Sequence, residues 1–588
     1  MDTEFGPVIK RAFRLKKNEG QNKVIGLEEA IKQNVKPGMT IYLDEGANAA
    51  ARAILRQFWG SRPQFTVVMP AVSGDPVELV SSGLVKKLIT SACIERRPTL
   101  GPISVIQRAY QDKSLEIENW SLLTLMLRLM AGALGVGFMP TKSLLGSSVP
   151  EANRDSFISL DDPFGSGQRL GLVKALNPDL AIVHALAADH YGNTITPAGP
   201  MSGYAGWGAR ASRGGVVVTT EKLTTTDFIR RHAALTTLPG YVVNSVSLAS
   251  FGAHPEGLLN RGIAGFASYG EDSEFMDEVR KARRDPKLLN AWVKEWVLDC
   301  PSHEEYLKKL GSTRLSWLKS RAGKDTWQQT LEPLLKNIST SPEYSATEMM
   351  IITAARKTRE KTLQRGYRTL LVGAGTALLA AWLAYLQLTE EGYDVELVNG
   401  PGLFGYMPRP ADPSITNYHS LATCKMLGDV MQSYGWMVSG TDKCLAILGA
   451  AEIDKRGNIN SAIANGGLYL VGPGGANDAG NAAEVMVVLA QSAQRLVKKV
   501  SYVTVPGSRV TTLVSDWGIF QKLAPNEEFT LTGCLPRSEA RDDIISCIKE
   551  RCGWELRLSN HLEGITPPTS RELTILRLLD GGVLIGPR

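Results

Sequence analysis

Apolar residues fall in two patterns along this chain. Short runs rich in Val, Ile and Leu are stopped by Gly, Pro or Asn, and longer runs with helical spacing lie between them. "VKPGMTIYLDEGANAAARAIL" (35–55) reads as turn, strand, Gly-containing loop and Ala-rich helix. "QRGYRTLLVGAGTALLAAWLAYL" (364–386) reads the same way. Each is followed by a second strand, "QFTVVMP" (64–70) and "DVELVNG" (394–400). Further on, "LAIVHALAADHYGNTI" (180–195) and "LAILGAAEIDKRGNIN" (445–460) align without a gap, each a buried strand running into an Asp-x-x-Gly-Asn turn. Asp189, Gly192 and Asn193 thereby pair with Asp454, Gly457 and Asn458; the Gly supplies positive φ and the polar side chains bond the turn. Downstream, "GGVVVTTEKL" (214–223) is matched with "KKVSYVTVPG" (498–507) as β-branched strands.

Strands alternating with helices at this spacing predict βα units. The expected fold class is α/β: two tandem homologous open α/β domains with mainly parallel sheets, spanning 1–273 and 345–588. Residues 274–336 carry charges and apolar positions at helical spacing, and 337–348 is a polar linker whose "SATE" reads as a capping box. "TLLVGAGTALLAAWLAYLQL" (369–388) is nearly charge-free and of membrane-spanning length. Its Gly373–Thr376 turn splits it into a strand and a core helix instead, so no membrane partner is expected. The similar run at 122–139 carries Arg128.

Composition narrows the classes. A chain of 588 residues exceeds one core, and 43% hydrophobic with 21% charged residues is ordinary for a globular protein. The net charge of +6 comes without a basic run interleaved with aromatics, so no nucleic-acid partner is expected. Seven scattered cysteines without zinc spacing predict reduced thiols, no metal and a cytoplasmic location. The N-terminal stretch lacks the apolar core of a signal peptide.

Two loops carry the candidate chemistry. The strand "DVELV" stops at Asn399-Gly400-Pro401-Gly402, and "GPGGANDAGNAAEVMVV" (472–488) places clustered backbone N–H groups at the expected start of an apolar helix, suited to an anion or oxyanion. With the repeat, this pattern resembles the class I CoA-transferase family, particularly its glutaconate CoA-transferase branch, in which homologous α and β subunits pair. Residues 25–270 resemble α, through "VKPGMTI", "SSGLVKKL", "LGSSVP", the Asp-x-x-Gly-Asn turn and "FGAHPEG". Residues 345–525 resemble β, through "VGAGT", "LVNGPGLFG", "GAAEIDKRGNIN", "GPGGAND" and "VSDWGIF". The resemblance implies fused subunits, an acyl-CoA thioester substrate, no bound cofactor, an interdomain cleft and further assembly into a homo-oligomer. It implies oxyanion N–H groups at Gly475 and Ala476, and a CoA path along Gly373, Gly375, Gly472, Gly474 and Asn477.

In transferases of this family the second strand ends in a Glu that attacks the acyl-CoA and forms an anhydride, then a glutamyl-CoA thioester. Val398 stands at that place and can form neither. Glu396, two residues back on the same strand face and roughly 6.5–7 Å from the tip, is a relocated carboxylate or an ordinary polar residue. Asp44 and Glu45 in "YLDEGAN" are general acid/base groups or simply helix N-terminal acids. "LGSSVP" is also similar to a CoA-dependent ring-opening hydrolase of steroid catabolism, whose active-site Glu would fall near Leu122. A decarboxylase relative keeps a Cys near position 398; here the nearest downstream is Cys424, which reads as a small buried hydrophobe. His184 reads as a satisfied core histidine and His254 as structural. The readings in order are a hydrolase, C–C lyase or decarboxylase using a retained oxyanion site, then a CoA-transferase with a relocated carboxylate, then a non-catalytic thioester-binding protein.

Overall fold

The computed structural model describes residues 4–13, 20–96, 100–197, 199, 201–260, 262–323, 325–415, 418–464, 466–524, 527–537 and 541–586. The first half is built on β1 (Thr40–Leu43), β2 (Phe65–Val72), β3 (Val85–Cys93), β4 (Glu116–Asn119), β5 (Leu180–Asp189), β6 (Val216–Thr224) and β7 (Val243–Leu248). They pair in the order β7-β6-β5-β1-β2-β3-β4, every neighbour parallel, with the short strand Thr194–Ile195 antiparallel to β5. All ten residues of β5 are buried, which is why it reads as a continuous apolar run rather than an alternation.

The second half carries β8 (Thr369–Val372), β9 (Glu396–Asn399), β10 (Leu403–Phe404), β11 (Met426–Leu427), β12 (Cys444–Leu448), β13 (Glu484–Leu489), β14 (Val510–Ser515), β15 (Gly518–Gln521), β16 (Thr530–Cys534) and β17 (Arg557–Gly564). Their order is β11-β10-β9-β8-β12-β13-β14-β15-β16-β17. The five central strands, β9 to β14 in that path, are parallel and match β2-β1-β5-β6-β7 one for one. Antiparallel strands flank them on both sides. The repeated turn is the same in both copies. Asn193 donates N–H and Nδ2 to Asp189 at 2.9 and 2.8 Å, and Asn458 does so to Asp454 at 3.0 and 2.9 Å. The Asn Oδ1 then accepts from Gly240 N–H at 2.9 Å and from Gly507 N–H at 2.8 Å.

Two expectations are corrected. Residues 498–507 are loop, and the counterpart of β6 is β13, one strand earlier. The backbone of that loop joins the halves instead: Ser148 N–H donates to Val503 O at 2.9 Å, and Val503 N–H donates to Ser148 Oγ at 2.9 Å. The run after "GPGG" is also not a long helix. A single turn, Ala476–Ala479, leads directly into β13.

Four helices position the rest: α1 (Asn48–Phe58), α2 (Leu122–Leu134), α3 (Ala346–Arg365) and α4 (Thr376–Glu390). Ser345 and Glu348 form the expected capping box of α3. The apolar run at 369–388 divides into β8 and α4, and Ala377–Tyr385 is buried throughout. Among the described residues no helix is long and apolar enough to cross a membrane. The segment after residue 273 is helical as expected, and it packs on the first half: Phe275, Trp292 and Tyr306 share a core with α1. There Arg52 stacks 3.9 Å over Tyr306 and pairs with Asp75.

The halves meet with the C-terminal ends of their parallel strands facing. Leu122 N–H donates to Gly474 O at 3.0 Å, Gly474 N–H to Ser91 O at 2.8 Å, and Met201 N–H to Pro401 O at 3.0 Å. Asp478, fully buried, accepts from Ser121 Oγ at 2.7 Å and from Leu123 N–H at 2.9 Å, fixing the start of α2 to the second half. Burial pushes its carboxyl up to about 6.

Candidate active site

A cavity of about 600 Å³ lies between the facing strand ends. The first half lines it with acids. Asp44 and Glu45 follow β1, in the loop that leads into α1, and Glu256 and Glu271 come from the segment after β7. Arg96, beyond β3, sits among them. Its Nη2 donates to Glu45 Oε2 at 2.6 Å, its Nε lies 3.8 Å from Glu256 Oε1, and that Nε makes no hydrogen bond among the described residues. Glu45 Oε1 is buried and equally unpartnered. Glu256 accepts from Ser73 Oγ at 3.1 Å.

Burial and the neighbouring carboxyls act on two of these acids. Burial, then the neighbouring Glu45, pushes Asp44 up to about 7. Burial also pushes Glu256 up to about 7, with Arg96 opposing and Glu45 and Glu271 adding to the rise. Two carboxyls thus exchange protons near neutrality on the cavity wall, the property required of general acid/base groups.

The second half lines the cavity with backbone. Gly373 follows β8, Gly400 and Pro401 follow β9, and Gly472, Gly474, Gly475 and Ala476 belong to the loop before β13. Gly472 (φ +89°) shows why no side chain is tolerated: a Cβ there would meet Ser91 O at 2.7 Å. These loops bring peptide groups, not side chains, to the cavity.

The residues expected from sequence divide accordingly. Asp44, Glu45, Gly373, Gly472, Gly474, Gly475 and Ala476 come together on one cavity, as does Leu122. Gly375 (φ +70°) is the N-cap of α4 and lies off the lining. Asn477 is a brace rather than a ligand: Oδ1 accepts from Leu144 N–H at 2.8 Å and Nδ2 donates to Thr504 O at 2.8 Å. Ala476 N–H is turned back onto Pro473 O at 3.1 Å. Val398 is fully buried in a core with Leu371, Val430 and Tyr434, beneath the cavity rather than on it. Glu396 is off the lining as well. Being the first residue of β9, it sits at the end of the sheet away from the tips and ion-pairs with the exposed Lys425. Cys424 is buried and off the lining.

His184 has both ring nitrogens occupied, by Thr219 Oγ1 at 2.9 Å and Glu221 Oε1 at 2.9 Å, although its edge lines the cavity. His254 bridges Tyr306 at 2.7 Å and Asp272 at 3.0 Å, tying the helical segment to the first half. Sequence reasoning missed Arg96, Glu256, Glu271, Tyr434 and Asp478. Glu256 and Asp478 had a signal, as the acids of "FGAHPEG" and "GPGGAND"; Arg96, Glu271 and Tyr434 come from segments that the fold alone assembles.

Known proteins match this arrangement. Residues 24–249 match the family model "Coenzyme A transferase". One subunit of the glutaconate CoA-transferase of Acidaminococcus fermentans is 29% identical over 325 residues, 51% of this chain and 95% of that protein. A subunit of the other type, from the 3-oxoadipate CoA-transferase of Pseudomonas knackmussii, is 28% identical over 257 residues, 40% of this chain and 94% of that protein. A crystal structure of an acyl-CoA transferase from E. coli O157:H7, in a thioester complex with CoA, superposes with a TM-score of 0.62 at 15% identity; it covers 96% of this chain and 98% of that one, so the fold is shared across both halves. One chain thus matches relatives of both subunit types, and its residues 24–249 are similar to the coenzyme A transferase family.

Proposed function

We propose that this protein processes an acyl-CoA thioester without a covalent carboxylate intermediate at the end of β9. The reaction is hydrolysis or carbon–carbon cleavage, decarboxylation included. The observation that carries this is the division of the cavity: peptide groups on one wall, carboxyls titrating near 7 on the other, and Val398 buried where the family's nucleophile would stand. The thioester carbonyl lies against the 472–476 loop. Asp44 and Glu256 serve as the acid/base groups, removing a proton from the acyl chain or from an attacking water and returning it to the product. Arg96, bonded to Glu45 and close to Glu256, opposes the build-up of negative charge.

The test is turnover of a panel of CoA thioesters with no second carboxylic acid present, followed by thiol release, free acid and CO2. Product formation under those conditions, lost in Asp44→Asn or Glu256→Gln, is the expected result. A second reading, transfer through a relocated carboxylate, draws on the unpartnered Glu45 Oε1 in the cavity wall. It requires an acceptor acid and an intact-mass adduct of CoA trapped by hydroxylamine or borohydride. Adduct formation together with acceptor dependence would replace the first reading.

A further inference from the structure

Tyr434 is a polar side chain that the second half sends among its own glycine loops. It sits on a π-helical segment, Met431–Val438, between β11 and β12, and it lines the cavity while only 6% exposed. π-Turns re-aim side chains relative to an α-helix and recur at functional sites. The Tyr434 hydroxyl is wedged between the two loops that matter. A Cβ built on Gly400 would lie 1.7 Å from the oxygen, and one built on Gly475 would lie 1.8 Å from it. With a carbon–carbon bond of about 1.5 Å, the oxygen is within about 3.3 Å of both Cα atoms. The strand tip and the 472–476 loop are therefore glycine where the tyrosine passes.

Buried tyrosines in this protein usually donate to a protein acceptor. Tyr204 reaches Leu122 O, Tyr269 reaches Glu221, Tyr306 meets His254 and Tyr469 reaches Asn119 at 3.0 Å. Among the described residues the Tyr434 hydroxyl makes no protein hydrogen bond, and it is not sealed off in the core. Burial, then Asp478, keeps its pKa above the ordinary value, so it holds its proton at neutral pH. The two N–H groups expected as oxyanion donors are not equivalent either. Ala476 N–H is spent on Pro473 O, whereas Gly475 N–H has no protein acceptor among the described residues.

We propose that the Tyr434 hydroxyl donates a hydrogen bond to the thioester carbonyl oxygen, taking the place that a second backbone N–H would fill beside Gly475. This rests on the thioester reading above. The hydroxyl keeps its proton throughout. It strengthens its bond as the carbonyl oxygen gains charge in a tetrahedral or enolate intermediate, and relaxes when the carbonyl re-forms.

The test pairs two non-hydrolysable probes, S-(2-oxopropyl)-CoA, which keeps a carbonyl, and S-propyl-CoA, which lacks it. Calorimetry on the full chain should show the wild type preferring the oxo probe roughly 3- to 10-fold, the usual worth of one hydrogen bond. Tyr434→Phe removes one oxygen and no protein partner. It should abolish that preference, bind S-propyl-CoA as the wild type does, melt at the same temperature and, on any thioester turned over, lower kcat about 10²- to 10³-fold with little change in KM. If the wild type binds both probes and Tyr434→Phe keeps the preference, the tyrosine is not the donor. If the wild type binds neither probe, the thioester reading falls and this proposal with it.

Discussion

The loop after β1 and the loop after β8 occupy the same place in two copies of one fold, and they bring opposite chemistry to the cavity. "LDEGAN" puts Asp44 and Glu45 at the first tip; "VGAGT" puts Gly373 and Ala374 at the second. The next strand does not repeat the contrast at the cavity: Asp75 after β2 is buried against Arg52 and off the lining, whereas Gly400 after β9 lies under the hydroxyl of Tyr434. A duplicated scaffold has divided its labour: one copy holds protons, the other holds peptide dipoles. Parallel sheets allow this because strand ends collect loops at one edge, where side chains change without disturbing the buried strands.

The sharpest way to break the comparison is to neutralise the acidic copy. Asp44→Asn and Glu256→Gln should each lower turnover roughly 10²- to 10⁴-fold, measured as kcat on whichever thioester the panel identifies. Because Asp44 and Glu256 both titrate near 7, the wild-type rate should be bell-shaped around neutrality, the pair titrating together. The same shifts set a stability signature. A carboxyl whose folded pKa is raised contributes fully below its ordinary value near 4 and loses that contribution as pH rises through 7. Asp44→Asn should therefore melt higher than the wild type at pH 8 and lose that advantage by pH 4. An inactive variant that is not stabilised at pH 8 would mean the acids are structural.

Making the second copy resemble the first comes next. Val398→Glu places a carboxyl at a position with no exposure, in ladder with Leu371 and opposite Phe404. An unpaired carboxyl there costs about 3 kcal/mol or more. The expected outcome is a lower melting temperature and no CoA adduct by intact mass. A well-folded Val398→Glu protein that forms an adduct would show that position 398 reaches the cavity.

Separating the copies is the third test. Asp478→Ala removes the two hydrogen bonds that hold Ser121 and Leu123 to the second half, worth about 2 kcal/mol together. Burial raises this carboxyl from 3.8 to about 6, so its contribution is largest below 4 and declines as pH rises through 6. The loss in melting temperature should be greater at pH 4.5 than at pH 8. A pH-independent loss would remove the assigned shift.

How much of this was legible depended on distance along the chain. The strands, the Asp-x-x-Gly-Asn turns, α4 and the capping box at Ser345 are local, and the sequence reading of each matches the structure. The 498–507 segment differs from its strand reading because its backbone bonds to Ser148, a partner more than 300 residues away, rather than to a neighbouring strand of the sheet. The glycine wall was legible because glycine where nothing else fits leaves a trace in the sequence. The acid wall was only half legible. Asp44 and Glu45 stand at a strand tip, but Arg96 reaches it from beyond β3, and Glu256 and Glu271 from the segment after β7. Tyr434 was illegible, since an aromatic in a helical run reads as core until the two glycines beside its hydroxyl are seen.

The smallest expected effect discriminates most cleanly between a carboxylate that matters and one that is merely near. Glu396 lies one strand-length from the tip, in ladder with Thr369 at the opposite end of β8 from Gly373, and its partner Lys425 has a side chain 65% exposed. A solvent-screened pair of this kind is worth under about 0.5 kcal/mol, and no cavity surface depends on it. Glu396→Gln should leave kcat, KM and any adduct unchanged within about twofold, and shift stability by no more than that exposed pair allows. If Glu396→Gln instead abolishes turnover while Asp44→Asn does not, the relocated nucleophile belongs to the second copy. The division between a protonic half and a backbone half would then fail, because β9 would have to slide in register to deliver Glu396 to the tip, moving Val398 out of the core as it did so.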